Sequence, residues 1–205
     1  LNRNLNTKIV LAATLTIYLM GYLVILLGEI TQASVPLSTA MLDAHFMTIN
    51  RTSGFDTIAP GEMGLLSQLM LILLMFIGGS PGSVAGGIKM MVFAVLALTV
   101  WSTLTGRRQT EIFGRTIPDA VVRKSATLIT LSLATVMTVT GVLAATEVAA
   151  GHTLDQILFE ATSAFGTTGL SMGVTQDATT TGQIALMVAM FVGRVGPLAV
   201  LAGLL

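Results

Sequence analysis

Long apolar blocks separated by short polar interruptions dominate the chain. A helix crosses the hydrocarbon core of a bilayer with about 20 predominantly apolar residues. Ile9–Leu27 meets that length and is closed by Glu29. Ser125–Ala145 meets it too, although it is rich in Thr and Ser, and Ile184–Leu205 meets it if Arg194 is accommodated. Leu65–Ile77 and Ile88–Trp101 are also apolar, with GGSPGSVAGG (78–87) between them. Unbroken, a helix over 65–104 would run roughly 60 Å, about twice the hydrocarbon thickness. The Gly/Ser/Pro run must therefore break it, and irregular backbone survives at membrane depth only where protein buries it or water lines it.

Two further segments are too short and too polar to span: PLSTAMLDAHFMTIN (36–50) and TLDQILFEATSAF (153–165). Each predicts a short helix, and Thr153 with Gln156 supplies a capping box for the second. Apolar stretches of this length suit re-entrant segments or buried core helices. Each follows one spanning segment and precedes another, so the order span, short helix, polar glycine-containing turn, span occurs twice.

Shifting the sequence by 115 residues lays Thr52-Ser53-Gly54-Phe55-Asp56 on Thr167-Thr168-Gly169-Leu170-Ser171. The same shift lays Phe76-Ile77-Gly78-Gly79 on Phe191-Val192-Gly193-Arg194, and Lys8 on Arg123. Three matches in one ungapped register predict a duplication, with one unit over 1–115 and the other over 116–205.

The chain is 53% hydrophobic and only 10% charged, with mean hydropathy +0.86. A soluble domain carries about 25% charged residues, so lipid is the expected solvent for much of this surface. The formal net charge is zero, which gives no basic excess to suggest nucleic acid. Cysteine is absent, which excludes thiol catalysis, disulfides and Cys-ligated metals. The first residue is Leu and no signal peptide opens the sequence, so a fragment of a longer chain is expected.

Charge placement predicts topology. Arg3, Lys8, Arg107, Arg108, Arg115, Arg123 and Lys124 lie at the start and in the central loop, and Lys/Arg-rich short loops stay cytoplasmic. Glu29, Asp43, Asp56, Glu62, Glu147, Asp155, Glu160 and Asp177, eight of the ten acids, then fall outside, where Arg51 is the one base. Acids there either raise the local cation concentration at an entrance or are simply solvated.

The two polar turns carry the chemistry. A short helix that dips into the membrane, ends in a glycine turn and returns extended places backbone carbonyls at membrane depth. Carbonyls in a ring can replace the hydration shell of a monovalent cation, and the helix C-terminus aimed at the same point favours positive charge. Glycine takes angles closed to other residues and keeps side chains out of the way. Thr52, Ser53, Gly54 and Phe55 are the candidate cation-binding strand of the first turn, and Thr167, Thr168, Gly169 and Leu170 that of the second. Ordinary turn glycines at Gly54 and Gly169 are the simpler alternative, weakened by their repetition in register. Two such turns make half of a fourfold ring.

These residues resemble the Trk/Ktr/HKT superfamily of potassium transporters, whose pore subunit has four span–pore helix–span repeats. RTSGFDT (51–57), GGSPGSVAGGIK (78–89), TTGLS (167–171) and GRVGPL (193–198) carry the resemblance, which covers essentially the whole chain as the third and fourth repeats. It implies an all-α integral membrane fold of tandem parallel repeats with re-entrant filter loops. It also implies one filter glycine per repeat, here Gly54 and Gly169, as the K⁺ sites. The run Gly78, Gly79, Ser80, Pro81, Gly82, Ser83, Gly86 and Gly87 becomes an intramembrane gate loop below the filter.

Arg194 stands level with Gly79 by the repeat. A guanidinium within an apolar span costs at least ~2.5–3.5 kcal/mol on insertion scales, so it must face protein or water. The resemblance suggests an electrostatic barrier at the gate; the alternative is that Arg194 holds backbone carbonyls of the broken helix. Lys89 either snorkels to the inner face or takes part in gating. His45 and His152 are not spaced as metal ligands and read as surface or pore-helix packing. GSVAGGIK fails the phosphate-loop template because Ile88 stands where Lys is required, and Gly82 and Gly86 permit close packing if that part is helical. The methionines read as core or lipid-facing filler.

Passive, gradient-driven K⁺ uptake across a bacterial cytoplasmic membrane is the leading expectation, with a Na⁺-preferring or mixed Na⁺/K⁺ transporter of the same architecture as the alternative. K⁺ or Na⁺ is cargo, and no covalently bound cofactor is expected. An inverted-repeat transporter is disfavoured because both copies begin with a basic cytoplasmic end and so run in parallel. No Ser/His, Asp/Asp or His/Glu constellation lies in register within the spans, so an enzyme is not expected. The resemblance further implies a homodimer of the pore subunit and a cytoplasmic nucleotide-binding ring subunit. The basic loop GRRQTEIFGR (106–115) faces the side where such a partner would dock, and would equally suit anionic lipid headgroups.

Overall fold

The computed structural model of the chain describes residues 5–31, 36–107, 109–112, 115–197 and 199. Arg3, Arg108 and the end of the expected span 184–205 lie outside the described residues, as does Leu198 of the GRVGPL motif.

The first apolar block forms α1 (Leu5–Thr31), a 27-residue helix, and the Thr/Ser-rich block forms the 29-residue α5 (Asp119–Glu147). Both are long and apolar enough to cross a membrane. α1 continues to Thr31 with Glu29 buried in its last turn. Along α1, Leu11, Leu15, Leu19, Leu23 and Leu27 form an exposed stripe at the spacing of one helix face. The opposite face packs closely through small residues. A Cβ on Gly21 would lie 2.9 Å from Leu74 Cδ1, and one on Gly28 would overlap Ser67 Oγ. Small residues at helix contacts and large apolar ones facing outward are the arrangement expected where lipid is the solvent.

After α1 come the short α2 (Leu37–Ile49), the polar turn, a 3-10 turn at Pro60–Glu62 and α3 (Leu65–Phe76). After α5 come the short α6 (Leu154–Gly166), the second polar turn, a single helical turn α7 (Val174–Asp177) and α8 (Thr180–Val195). The expected capping box forms at α6, where the Thr153 backbone N–H donates to Gln156 Oε1 at 3.1 Å. Leu65 and Thr180, which open α3 and α8, stand 115 residues apart, the same offset as the two glycine turns. The central loop holds a feature the sequence did not reveal, a two-stranded antiparallel hairpin of β1 (Glu111–Ile112) and β2 (Arg115–Thr116).

α1, α2 and α3 share one core around Ile25, Met47, Leu71 and Leu74, and Phe159 of α6 and Leu170 join it from the second half. α5, α6 and α8 share another around Leu143, Ile157, Ala161 and Leu186. The halves meet where α3 packs on α6 and α4 (Met90–Leu104) packs on α5.

The apolar stretch 65–104 breaks at the glycine run, as expected, with α3 ending at Phe76 and α4 starting at Met90. A helix end leaves carbonyls without intrahelical partners; here the C-cap Ile77 takes one, the returning chain takes Phe76 O, and further bonds pair the two sides of the break. Ile77 N donates to Leu73 O (3.2 Å), Ile88 N to Phe76 O (3.1 Å), Gly78 N to Ile88 O (2.8 Å) and Met90 N to Gly79 O (3.0 Å). The approach requires glycine at position 78, where a Cβ would overlap Gly86 O. The segment 77–89 is irregular, so the helical packing considered for Gly82 and Gly86 does not arise. Gly82 instead sits at φ +85°.

Candidate ion-binding turns

Each short helix runs into its turn through an ordinary helix exit. For α2, Asn50 N donates to Phe46 O and Ser53 N to Asn50 O, both at 2.9 Å. For α6, Thr167 N donates to Ala164 O and Thr168 N to Ser163 O, both at 3.0 Å, and Thr167 occupies the left-handed region at φ 51°. A β-branched residue at positive φ is rare and persists only where its surroundings hold it. Thr167 has such a hold, because its Oγ1 accepts from Gly86 N at 2.9 Å.

Gly54 and Gly169 both have positive φ, +71° and +99°, and the two turns touch. A Cβ on Gly54 would come 2.5 Å from Thr168 O and 3.2 Å from the Gly169 Cα. Among the described residues no hydrogen bond is donated to the carbonyl oxygens of Thr52–Phe55 or Thr167–Leu170. The two adjoining turns each stand at the C-terminus of a short helix, an end that carries partial negative charge. Among the described residues no group of three or more His, Asp or Glu could hold a metal ion. A cleft of about 440 Å³ borders the second turn, lined by Ser163, Thr167, Thr168, Gly169 and Ser171, with Glu160 at its wall.

Two buried acids that the sequence reading placed among possible solvated ones hold this region together. Glu160 of α6 accepts from Ser171 Oγ (2.8 Å), Met172 N (3.2 Å), Thr175 N (3.3 Å) and Thr175 Oγ1, fixing the chain that leaves Gly169. Glu147, 0% exposed at the end of α5, accepts from Thr146 Oγ1 (2.7 Å), Thr179 Oγ1 (2.6 Å) and Thr179 N (3.2 Å), and so anchors the start of α8. A carboxylate that accepts several bonds tolerates burial. An acid at the end of an apolar block gives no sequence sign of this.

The basic residues divide differently from expectation. Arg51, the lone base among the outer acids, is 8% exposed, and its Nη1 donates to Leu74 O at 2.8 Å and to Ile77 O. Holding carbonyls of the broken helix was the alternative considered for Arg194; Arg51 performs it. Arg194 lies exposed in the last turn of α8, close enough to Lys89 for the two cations to feel each other. Lys89 engages the loop itself. Its Nζ donates to Ser83 O (3.0 Å) and Ala85 O (2.7 Å), folding over the loop 78–87. Of the remaining loop residues, Ser83 Oγ accepts from Ala85 N (3.1 Å) and Ser83 N closes a turn on Ser80 O (2.9 Å). Pro81 is exposed, and Gly79 has Ser83 Oγ where a Cβ would stand. His45 contacts Tyr18 OH through Nδ1 at 2.6 Å, in keeping with packing on the short helix.

Two helices of membrane length and two adjoining glycine turns at the ends of short helices fit a membrane transport protein. The cation transport protein model TrkH matches residues 5–203, and the chain belongs to that family of membrane-integral ion transporters. The Ktr system potassium uptake protein B of Bacillus subtilis is 35% identical over 95% of this chain and 44% of its own length. The potassium/sodium uptake protein NtpJ of Enterococcus hirae is 32% identical over 98% of this chain and 46% of its own. The crystal structure of the potassium transporter TrkH from Vibrio parahaemolyticus has the same fold, with TM-score 0.74 at 20% identity over 98% of this chain and 44% of that one. The chain thus spans less than half the length of these relatives.

Proposed function

We propose that this chain forms the third and fourth repeats of a potassium-uptake pore, in which backbone carbonyls of Thr52–Phe55 and Thr167–Leu170 strip and hold the ion. The observation that carries the reading is the pair of touching turns, with glycines at positive φ and carbonyls that no described donor engages. α2 and α6 serve as pore helices, and the common offset of the turns and of the helices after them supports a tandem parallel repeat, 1–115 and 116–205. The loop 78–87 is the gate below the filter. Lys89 and Arg194 place two positive charges beside it, which oppose a cation until the loop moves. The named activity of the Ktr and Trk relatives supports K⁺ as cargo, in a bacterial cytoplasmic membrane.

A second reading, Na⁺ carried with or instead of K⁺, is favoured by the relative named for both ions, which matches 98% of this chain. The exposed Arg107 and Arg115 around the hairpin 111–116 suit a cytoplasmic regulatory ring subunit, and a homodimer completes the proposed assembly.

The test is growth at limiting K⁺ of a bacterium lacking its own uptake systems, supplied with the complete protein. Wild type rescues growth, while Gly54→Arg and Gly169→Arg do not, despite equal membrane expression. Rescue by both variants would remove the two turns from the ion path.

A further inference from the structure

Arg51 joins three structures that the proposed pore needs held in register. Its guanidinium donates to Leu74 O and Ile77 O at the C-terminal end of α3. Its own carbonyl accepts from Thr168 Oγ1 at 3.3 Å, across 117 residues of chain. The next residue, Thr52, begins the first glycine turn. The residue therefore touches the break through its side chain, the second turn through its backbone and the first turn through the chain itself.

The chemistry explains why a cation stands there. Breaking the helix after Phe76 orphans the last carbonyls of α3. Ile77 N and Ile88 N take Leu73 O and Phe76 O, but Leu74 O and Ile77 O depend on Arg51. A buried charge needs compensation, and among the described residues no acid pairs with Arg51. Two helix C-termini converge on it instead, α2 ending at Ile49 and α3 at Phe76, and each end carries a partial negative charge.

The loop is tied to the second turn as well. Gly86 N donates to Thr167 Oγ1, and a Cβ on Gly86 would lie 2.7 Å from that oxygen and 3.0 Å from Gly166 O. Arg51 at one end of the loop and Thr167 at the other thus connect 77–88 to both turns.

We infer that Arg51 is a positioning residue that fixes the spacing of the two filter turns by anchoring them to the base of the gate. It touches no ion; it acts by holding the carbonyls of its neighbours at a set distance. This rests on the filter reading above. Discrimination between K⁺ and the smaller Na⁺ depends on the arrangement and stiffness of the carbonyl oxygens, so loosening the anchor lowers selectivity before it lowers flux.

The experiment uses the complete protein reconstituted in vesicles, with Arg51→Gln, Arg51→Lys and Thr168→Val beside the wild type. Two quantities are read: the ratio of K⁺ to Na⁺ flux, and backbone hydrogen exchange measured peptide by peptide. Arg51→Gln lowers the flux ratio about tenfold, the scale of one lost bond to a charged group. It also speeds exchange over 51–56 and 77–88 while leaving α5 unchanged. Arg51→Lys restores part of the ratio, and Thr168→Val lowers it without freeing 77–88. A selective wild type with an equally selective Arg51→Gln overturns the inference and leaves the functional reading standing. Faster exchange throughout, α5 included, also overturns it, because Arg51 would then be a general stabiliser. A wild type that carries neither ion overturns the functional reading, and this inference with it.

Discussion

At the scale of the residue, positive φ and close approach decide which glycines are replaceable. Both Gly54 and Gly169 sit where an L-residue costs ~1–2 kcal/mol, but their surroundings differ. Around Gly54 a Cβ meets Thr168 O at 2.5 Å, whereas around Gly169 the nearest atom is the Gly54 Cα at 3.7 Å. Gly54→Ala should therefore abolish uptake, and Gly169→Ala should retain a measurable fraction of it, both read as initial K⁺ uptake rates at matched expression. Glu160 makes a second prediction. Glu160→Ala removes the charged acceptor shared by Ser171, Met172 and Thr175, so the detergent-solubilised protein should lose about 1–3 kcal/mol, seen as a lower Tm. Neither acid nor arginine announced its role in the sequence. Arg51 bonds to backbone carbonyls 23 and 26 residues away, and main-chain acceptors have no residue identity to read. The hint was its isolation among outer acids.

At the scale of the element, the sequence was legible wherever length or a local bond decides the outcome. The segments 36–50 and 153–165, too short and too polar to span, became α2 (Leu37–Ile49) and α6 (Leu154–Gly166), the second opened by its local capping box. The break at 78–87 was legible because a continuous helix would overshoot the bilayer. The path of the chain inside the break was not, since it depends on tertiary partners such as Lys89 over Ser83 O and Ala85 O. The two-residue strands at 111–112 and 115–116 are too short to leave a periodic signal. Packing between α6 and α8 gives a prediction at this scale. A Cβ on Gly193 would sit 1.8 Å from Phe165 O, so Gly193→Ala forces the helices apart and should cost about 1–3 kcal/mol, measured by thermal unfolding. Lys89→Met releases two loop carbonyls and removes a charge beside the proposed gate. Uptake should rise roughly threefold to tenfold, the range expected from one or two lost hydrogen bonds.

At the scale of the whole molecule, the halves are joined through the parts that would do the work. α3 meets α6, the turns touch at Gly54 and Gly169, and the loop 77–88 lies against Thr167 and Gly166. Family membership and the broad architecture were legible from four motifs and the repeat offset. Which ion is carried was not, because the chain provides only two of the turns expected in a fourfold ring. The most direct measurement is of K⁺ and Na⁺ uptake by the complete protein in vesicles, wild type against Gly54→Ala. The account predicts saturable K⁺ uptake in excess of Na⁺ uptake by the wild type, lost in the variant. Equal K⁺ uptake by the two proteins would contradict it.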